Sequence, residues 1–349
     1  MCGSRGSPMK SPTGGALRHV LTHLLTPLLM CVGMGLAYLG AFAEPHPHDL
    51  PVAVVGSGPQ AHALTRTLAD RAGDELDVRT VATRAEAEEQ LRHRDVFGAY
   101  VPDERTPELL VATAGSDTTA AVVQKVFTPV AAHQHAPLKV TDVVPPSRHD
   151  PTGQGLFFLL VALSIGSYAS VAVIGGAGGV LPLRTRALLA AGTSLVVSVV
   201  GAALAGPVFH LVDHDLAGLW ALGWLYSAGV LLTGTGLHTF LKRWTTLGVM
   251  VLFVMLNFTS SGGVFRPELQ NGLFATLHDV WNGAAFVEGA RSLVYFDRTG
   301  LGGHVLTLAV WLVIGAAVVA LAWAVERRGT KAQVAAAEAE EEMEEAVAV

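Results

Sequence analysis

Apolar residues in this chain gather into long runs rather than narrow stripes. Six runs stand out: 17–42, 156–180, 187–211, 216–240, 247–262 and 306–325. A helix needs about 20 consecutive apolar residues to cross the hydrocarbon core of a bilayer. The fifth run is slightly short of that and the other five reach it.

The basic residues alternate between the runs. Arg5, Lys10 and Arg18 precede the first or stand at its start, Arg184 and Arg186 follow the second, and Lys242 and Arg243 follow the fourth. Arg327, Arg328 and Lys331 follow the sixth, whereas the connection 212–215 holds Asp213 and Asp215 and no base. Positive charge accumulates on the cytoplasmic side of membrane proteins. The pattern predicts an α-helical polytopic protein of the cell membrane with six transmembrane helices and both termini cytoplasmic.

The predicted order is a cytoplasmic tail (1–16), a first transmembrane helix (17–43), an extracytoplasmic α/β domain (44–150), a five-helix membrane domain (151–325) and an acidic cytoplasmic tail (326–349). The first run is far longer than the 7–15-residue core of a signal peptide. It is therefore expected to stay as a span despite the small-residue stretch Ala41-Phe42-Ala43.

Between the first two runs the period changes. Stretches 51–55, 76–81, 96–101, 109–113 and 138–144 read as strands, and 60–71, 84–92 and 118–132 as helices. Thr83 is placed to cap the second of these helices. Gly56 and Gly58 match a G-x-G-x-x-[G/A] turn between strand and helix, with Ala61 in the last position and Arg84 further on. In a dinucleotide fold those glycines would admit a pyrophosphate. In a domain facing outside they are expected to serve the turn alone.

Composition narrows the chemistry. The 349 residues are 51% hydrophobic and 15% charged, with a net charge of −6. Segment 44–150 holds 16 acids and 10 bases, and the residues after Thr330 hold six Glu and one Lys. No basic patch points to nucleic acid. Cys2 and Cys31 are the two cysteines, neither set for a structural disulfide. The pairs His46/His48, beside Asp49, and His133/His135 lie in polar linkers whose spacing matches no metal site. No metal and no cofactor is expected. No His-Glu-x-x-His, Gly-x-Ser-x-Gly or Gly-x-x-x-x-Gly-Lys-[Ser/Thr] occurs, so the chain is not expected to be an enzyme or to hydrolyse ATP itself.

After the fifth run comes a semi-polar stretch too long for a turn and too apolar for an ordinary loop. Segment 263–296 is predicted to be re-entrant, broken by Gly272, Gly283 and Gly289, with Trp281, Tyr295 and Phe296 near headgroup level. Ionisable residues inside a membrane are functional candidates by default. Asp279, Glu288 and Arg291 are thus candidates for a transport pathway, with Glu288 and Arg291 spaced to pair at i, i+3. His278 and the group His210, Asp213, His214 and Asp215 are weaker candidates.

Ser261-Gly262-Gly263, then Pro267, then Gly289 to Phe296 (GARSLVYF) resembles the end of ABC transporter permeases of the type-2 exporter class. The layout from 17 to 325 is similar to the branch related to the phage infection protein, including Asp150-Pro151-Thr152-Gly153 before the second span and the stretches 81–91 and 96–102. The resemblance implies an exporter permease subunit, a homodimer or heterodimer, with a separate ABC-type ATPase and an amphipathic or lipid-like substrate. The chain departs from the class in the short connection 181–186, where many members carry a longer Glu-Arg-x-x-Gly-Thr segment that docks on the ATPase. Glu326-Arg327-Arg328-Gly329-Thr330 has that look but follows the last span. A proton-driven exporter and a non-transporting surface receptor or assembly protein are the alternatives.

Overall fold

The computed structural model describes residues 12–347. Positions 1–11 of the expected tail, with Cys2, and the last two residues lie outside them.

Among the described residues five helices are long and apolar enough to cross a membrane: Val20–Phe42, Gly155–Val180, Leu183–Val208, Leu216–Ser260 and Leu301–Gly329. They belong to α1 (Pro12–Phe42), α5 (Gly155–Gly176), α6 (Leu183–Ala203), the series α7 (Leu216–Leu241), α8 (Thr245–Met250) and α9 (Leu256–Ser260), and α12 (Leu301–Val347). The protein is thus a polytopic helical membrane protein with a small α/β domain.

The stretch 216–260 is not straight. Tyr226 and Asn257 would lie about 46 Å apart in one continuous helix at 1.5 Å per residue. Instead the Asn257 side-chain amide donates to the Tyr226 hydroxyl at 2.5 Å. The chain doubles back at a tight turn, Lys242–Trp244, where Lys242 adopts φ +50°. The fourth and fifth apolar runs are therefore two legs folded against each other.

The α/β domain follows the change of period. Strands β1 (Leu50–Val55), β2 (Leu76–Val81), β3 (Ala99–Val101), β4 (Glu108–Val111) and β5 (Lys139–Asp142) form one sheet in the order β2-β1-β3-β4-β5. β1 pairs in parallel with β2 and β3, β3 antiparallel with β4, and β4 in parallel with β5. Alternate residues of a strand point to opposite faces. Leu50, Val52 and Val54 pack with Leu68, Val123 and Phe127 from α2 (Pro59–Ala72) and α4 (Asp117–His133). Ala53, Ala99 and Leu110 pack on the other face with Ala87 and Leu91 of α3 (Arg84–His93). The Thr83 hydroxyl accepts from the Glu86 amide at 3.1 Å, the N-cap expected of it. The third strand is shorter than 96–101, since Val96 and Phe97 precede the ladder and Val96 packs into the α3 face.

Gly56 sits at φ +138°, which only glycine adopts without strain. Its neighbour Gly58 has ordinary extended geometry at the N-cap of α2. Leu50–Val55 thus passes into α2 through a turn that needs one glycine for its backbone.

Asp150 starts the membrane half. Its buried carboxylate accepts from the Gly155 amide at 2.7 Å and the Gln154 amide at 3.2 Å, capping α5 where it would otherwise leave donors unmet. Gly153 turns at φ +65° to allow this.

Between α9 and α12 lie α10 (Gly272–Val280) and α11 (Asn282–Tyr295), joined at Trp281. The joint is tied to neighbouring helices on three sides. The Trp281 indole donates to the Leu252 carbonyl at 3.0 Å, inside the wide helical turn Val251–Met255. The Gly283 amide donates to the Asn257 side-chain oxygen at 3.0 Å, and the Trp311 indole to the Val280 carbonyl at 2.9 Å. The two helices form a hairpin whose tip meets Leu252, Asn257 and Trp311. α12 is continuous from Leu301 through the acidic stretch to Val347.

Candidate functional site

Charge inside an apolar bundle is expensive unless it is paired, so the buried ions mark the places worth building from. They converge on Glu288, near the middle of α11, whose side chain is 4% exposed.

Three guanidiniums reach this carboxylate from three parts of the chain. Arg291, one turn on in α11, donates to Glu288 at 2.7 Å and to the Gly262 carbonyl at 2.8 Å. Arg94 comes from the sheet domain and donates to the other Glu288 oxygen at 2.7 Å, to the Ser292 hydroxyl at 2.6 Å and to the Thr299 carbonyl at 3.1 Å. Arg266 lies 3.4 Å from Glu288 and 3.2 Å from Glu268.

Local chemistry aims each group. Arg94 ends α3 in the left-handed region at φ 64°, which turns its side chain toward the membrane half, where it also lies over the Phe296 ring at 5.1 Å. Arg266 stacks on Phe97 of the sheet domain at 4.4 Å. Gly262 has φ +70°, and a Cβ there would stand 2.7 Å from the His278 ring and 3.2 Å from Glu288. Gly263 has room for no side chain against Phe157. The Ser261 hydroxyl accepts from the Gly263 amide at 3.1 Å and holds the turn. Pro267 opens a single helical turn that returns the chain to α10. The family-like residues Ser261, Gly262, Gly263 and Pro267 therefore build the floor on which the ions meet.

Three guanidiniums and two carboxylates leave one excess positive charge in the cluster. Burial alone would raise the Glu288 carboxyl, but Arg266, Arg291 and Arg94 together overcome it and hold the group well below the ordinary glutamate range. Burial lowers the Arg94 guanidinium, with Glu288 opposing.

The three pathway candidates separate. Glu288 and Arg291 are in contact, whereas Asp279 is exposed and lines a shallow groove with His48 and Gln270 that meets the cluster only at Glu268. Its neighbour His278 turns the other way, with Nδ1 2.9 Å from the Ser260 carbonyl. Asp215 pairs with Arg298 at 2.7 Å at the exposed edge, and His210 faces His149 with ring centres 5.6 Å apart. Among the described residues no group of His, Cys, Asp and Glu could hold a metal. Sequence reasoning missed Arg94 and Arg266. Arg94 ends a helix with no glycine to flag the left-handed turn, and its partner lies 194 positions away.

A second polar group lies deeper. Ser164 and Tyr226 share a hydrogen bond at 2.6 Å, and Asn257 joins them through Tyr226. At the hairpin tip beside them Asn282 is fully buried, and among the described residues neither its oxygen nor its nitrogen has a partner. The hydroxyls of Ser167 and Ser227, next in the same helices, are also buried and find no partner among the described residues.

No family model, no curated protein and no solved structure matches the chain.

Proposed function

We propose that the protein is a permease subunit of an exporter that moves an amphipathic or lipid-like substrate. It works as a dimer with a separate ATPase. The observation that carries this reading is the unmet amide of Asn282 at a hairpin tip inside the bundle. A buried amide without partners costs about 1–3 kcal/mol by protein mutational data. A receptor that only presents a domain has no use for that cost. A pathway does, because a polar headgroup or water meets the amide in another state of the cycle. Glu288 is an unsuitable proton carrier, since guanidiniums occupy both of its carboxylate oxygens, which weighs against proton coupling at this residue.

In this reading the hairpin α10–α11 is re-entrant and the doubled stretch 216–260 crosses the membrane twice, making six crossings. Arg184, Arg186, Lys242, Arg243, Arg327 and Arg328 share the end opposite the sheet domain. That end is cytoplasmic by the positive-inside rule, so the sheet domain is extracytoplasmic and both termini are inside. Contacts support the common level: Arg186 and Thr239 both reach Glu326, at 2.6 and 3.0 Å. At the other end the Asn271 side-chain amide donates to the Gly40 carbonyl at 2.9 Å.

Two experiments test this. A cysteine replacing exposed Glu89 should react with an impermeant thiol reagent in intact cells, and one replacing Ala335 only after lysis. The reverse pattern would overturn the orientation. Host cells lacking the gene should extrude a panel of fluorescent short-chain lipids to external albumin more slowly than cells carrying it. Asn282→Leu, inserted at equal level, should fail to restore the rate. Equal extrusion with and without the gene would leave a receptor or assembly role as the better reading.

A further inference from the structure

A second site lies at the basic end, away from the ion cluster. α6 and α12 splay there to form an open apolar groove of about 530 Å³, lined by Ala187, Leu188, Ala316, Val319 and Ala320, with Arg184 and Trp323 at its mouth. Sites for small ligands usually measure about 300–1,000 Å³. The Arg184 guanidinium lies over the Trp323 ring at 5.3 Å, and that of Arg327 at 4.5 Å. Both arginines are exposed, and among the described residues neither forms an ion pair. The nearby carboxylate of Glu326 is engaged with Arg186 and Thr239. Two cations beside one aromatic ring thus stand at the end of an apolar trough.

We propose that this groove holds one anionic phospholipid, its phosphate between Arg184 and Arg327 and an acyl chain along Leu188, Ala316 and Ala320. Charge complementarity selects the occupant. The cytoplasmic leaflet carries the anionic lipids, and basic pockets between spans on that side bind their headgroups. The leaflet assignment rests on the orientation proposed above; the binding itself does not. Trp323 suits the interface, apolar in its body and polar at its edge. A second copy fits less well. A two-fold contact centred on the groove is self-complementary and would set the arginines of one copy against those of the other.

Direct binding tests the site without any transport measurement. The full-length protein in neutral detergent is titrated with phosphatidylglycerol or phosphatidylcholine and weighed intact by native mass spectrometry. The expected result is preferential retention of phosphatidylglycerol. The double variant Arg184→Gln/Arg327→Gln should lower that retention at least fivefold and leave phosphatidylcholine unchanged, while the double Arg→Lys variant retains most of the preference. Leu188→Trp fills the trough without touching the charges and should also lower retention. Inorganic phosphate and glycerophosphoglycerol, which lack acyl chains, should not compete at equal concentration. Effective competition by either would show a free-anion site and overturn the lipid assignment. So would equal retention of the two lipids by the wild type, unchanged retention by the Gln variant, or a two-copy species cross-linked through cysteines at position 188.

Discussion

The two ends of the membrane half handle positive charge in opposite ways. At the end facing the sheet domain, Arg266 and Arg291 are buried and Arg94 partly buried around one carboxylate. At the other end Arg186 is buried against Glu326, but Arg184 and Arg327 lie exposed on the face of Trp323. A buried guanidinium must find a fixed partner, because the low dielectric makes an unpaired charge costly and a paired one rigid. An exposed one keeps its water and remains free to meet a ligand. The first end is thus a clamp between the sheet domain and the hairpin, and the second is a docking surface.

The sharpest way to break this contrast is to remove the centre of the clamp. Glu288→Ala leaves three buried guanidiniums without their shared partner, and breaking a buried pair costs about 3–5 kcal/mol. The variant should be recovered in low yield or melt far below the wild type in detergent. A melting midpoint within a degree of wild type would mean the cluster is hydrated and holds nothing together.

Arg94→Ala comes next. It removes three hydrogen bonds from a guanidinium, to Glu288, Ser292 and Thr299, but leaves Glu288 with Arg266 and Arg291, so a loss of about 1.5–3 kcal/mol is expected. Limited proteolysis should then cut the linker around Arg148 faster, because the sheet domain has lost its hold on α11. Unchanged cleavage would show that other contacts suffice.

The pH dependence sharpens the same point. The folded carboxyl of Glu288 lies below its unfolded value of about 4.3, so its contribution is fully present above that value and is lost as pH falls toward the folded one. The stability gap between wild type and Glu288→Gln should be flat from pH 8 to about 5 and shrink below about 4. A gap that closes between pH 8 and 6 would restore Glu288 as a proton carrier.

The smallest effect belongs to the opposite end. Glu326 is about a third exposed, and its pair with Arg186 is screened by solvent on that side. Glu326→Gln keeps an oxygen that can accept from buried Arg186, so it should cost about 0.5–1.5 kcal/mol, read as a small shift of the melting midpoint. A loss as large as that of Glu288→Ala would erase the distinction between the two ends.

Much of the architecture was legible in the chain. Apolar runs depend on the bilayer as solvent, and the change of period between 51 and 144 marks the sheet domain. Both are local signals, as are the Thr83 cap and the i, i+3 spacing of Glu288 and Arg291. Tertiary structure decided the rest. It separated Asp279 from the cluster by turning two adjacent residues of α10 to different surroundings. It also brought Arg94 to a carboxylate 194 positions away, through a left-handed helix end that no glycine announces. Composition and period report which solvent each segment prefers. Which buried charges meet depends on the fold as a whole, because a buried ion takes its partner from whatever the packing brings within reach.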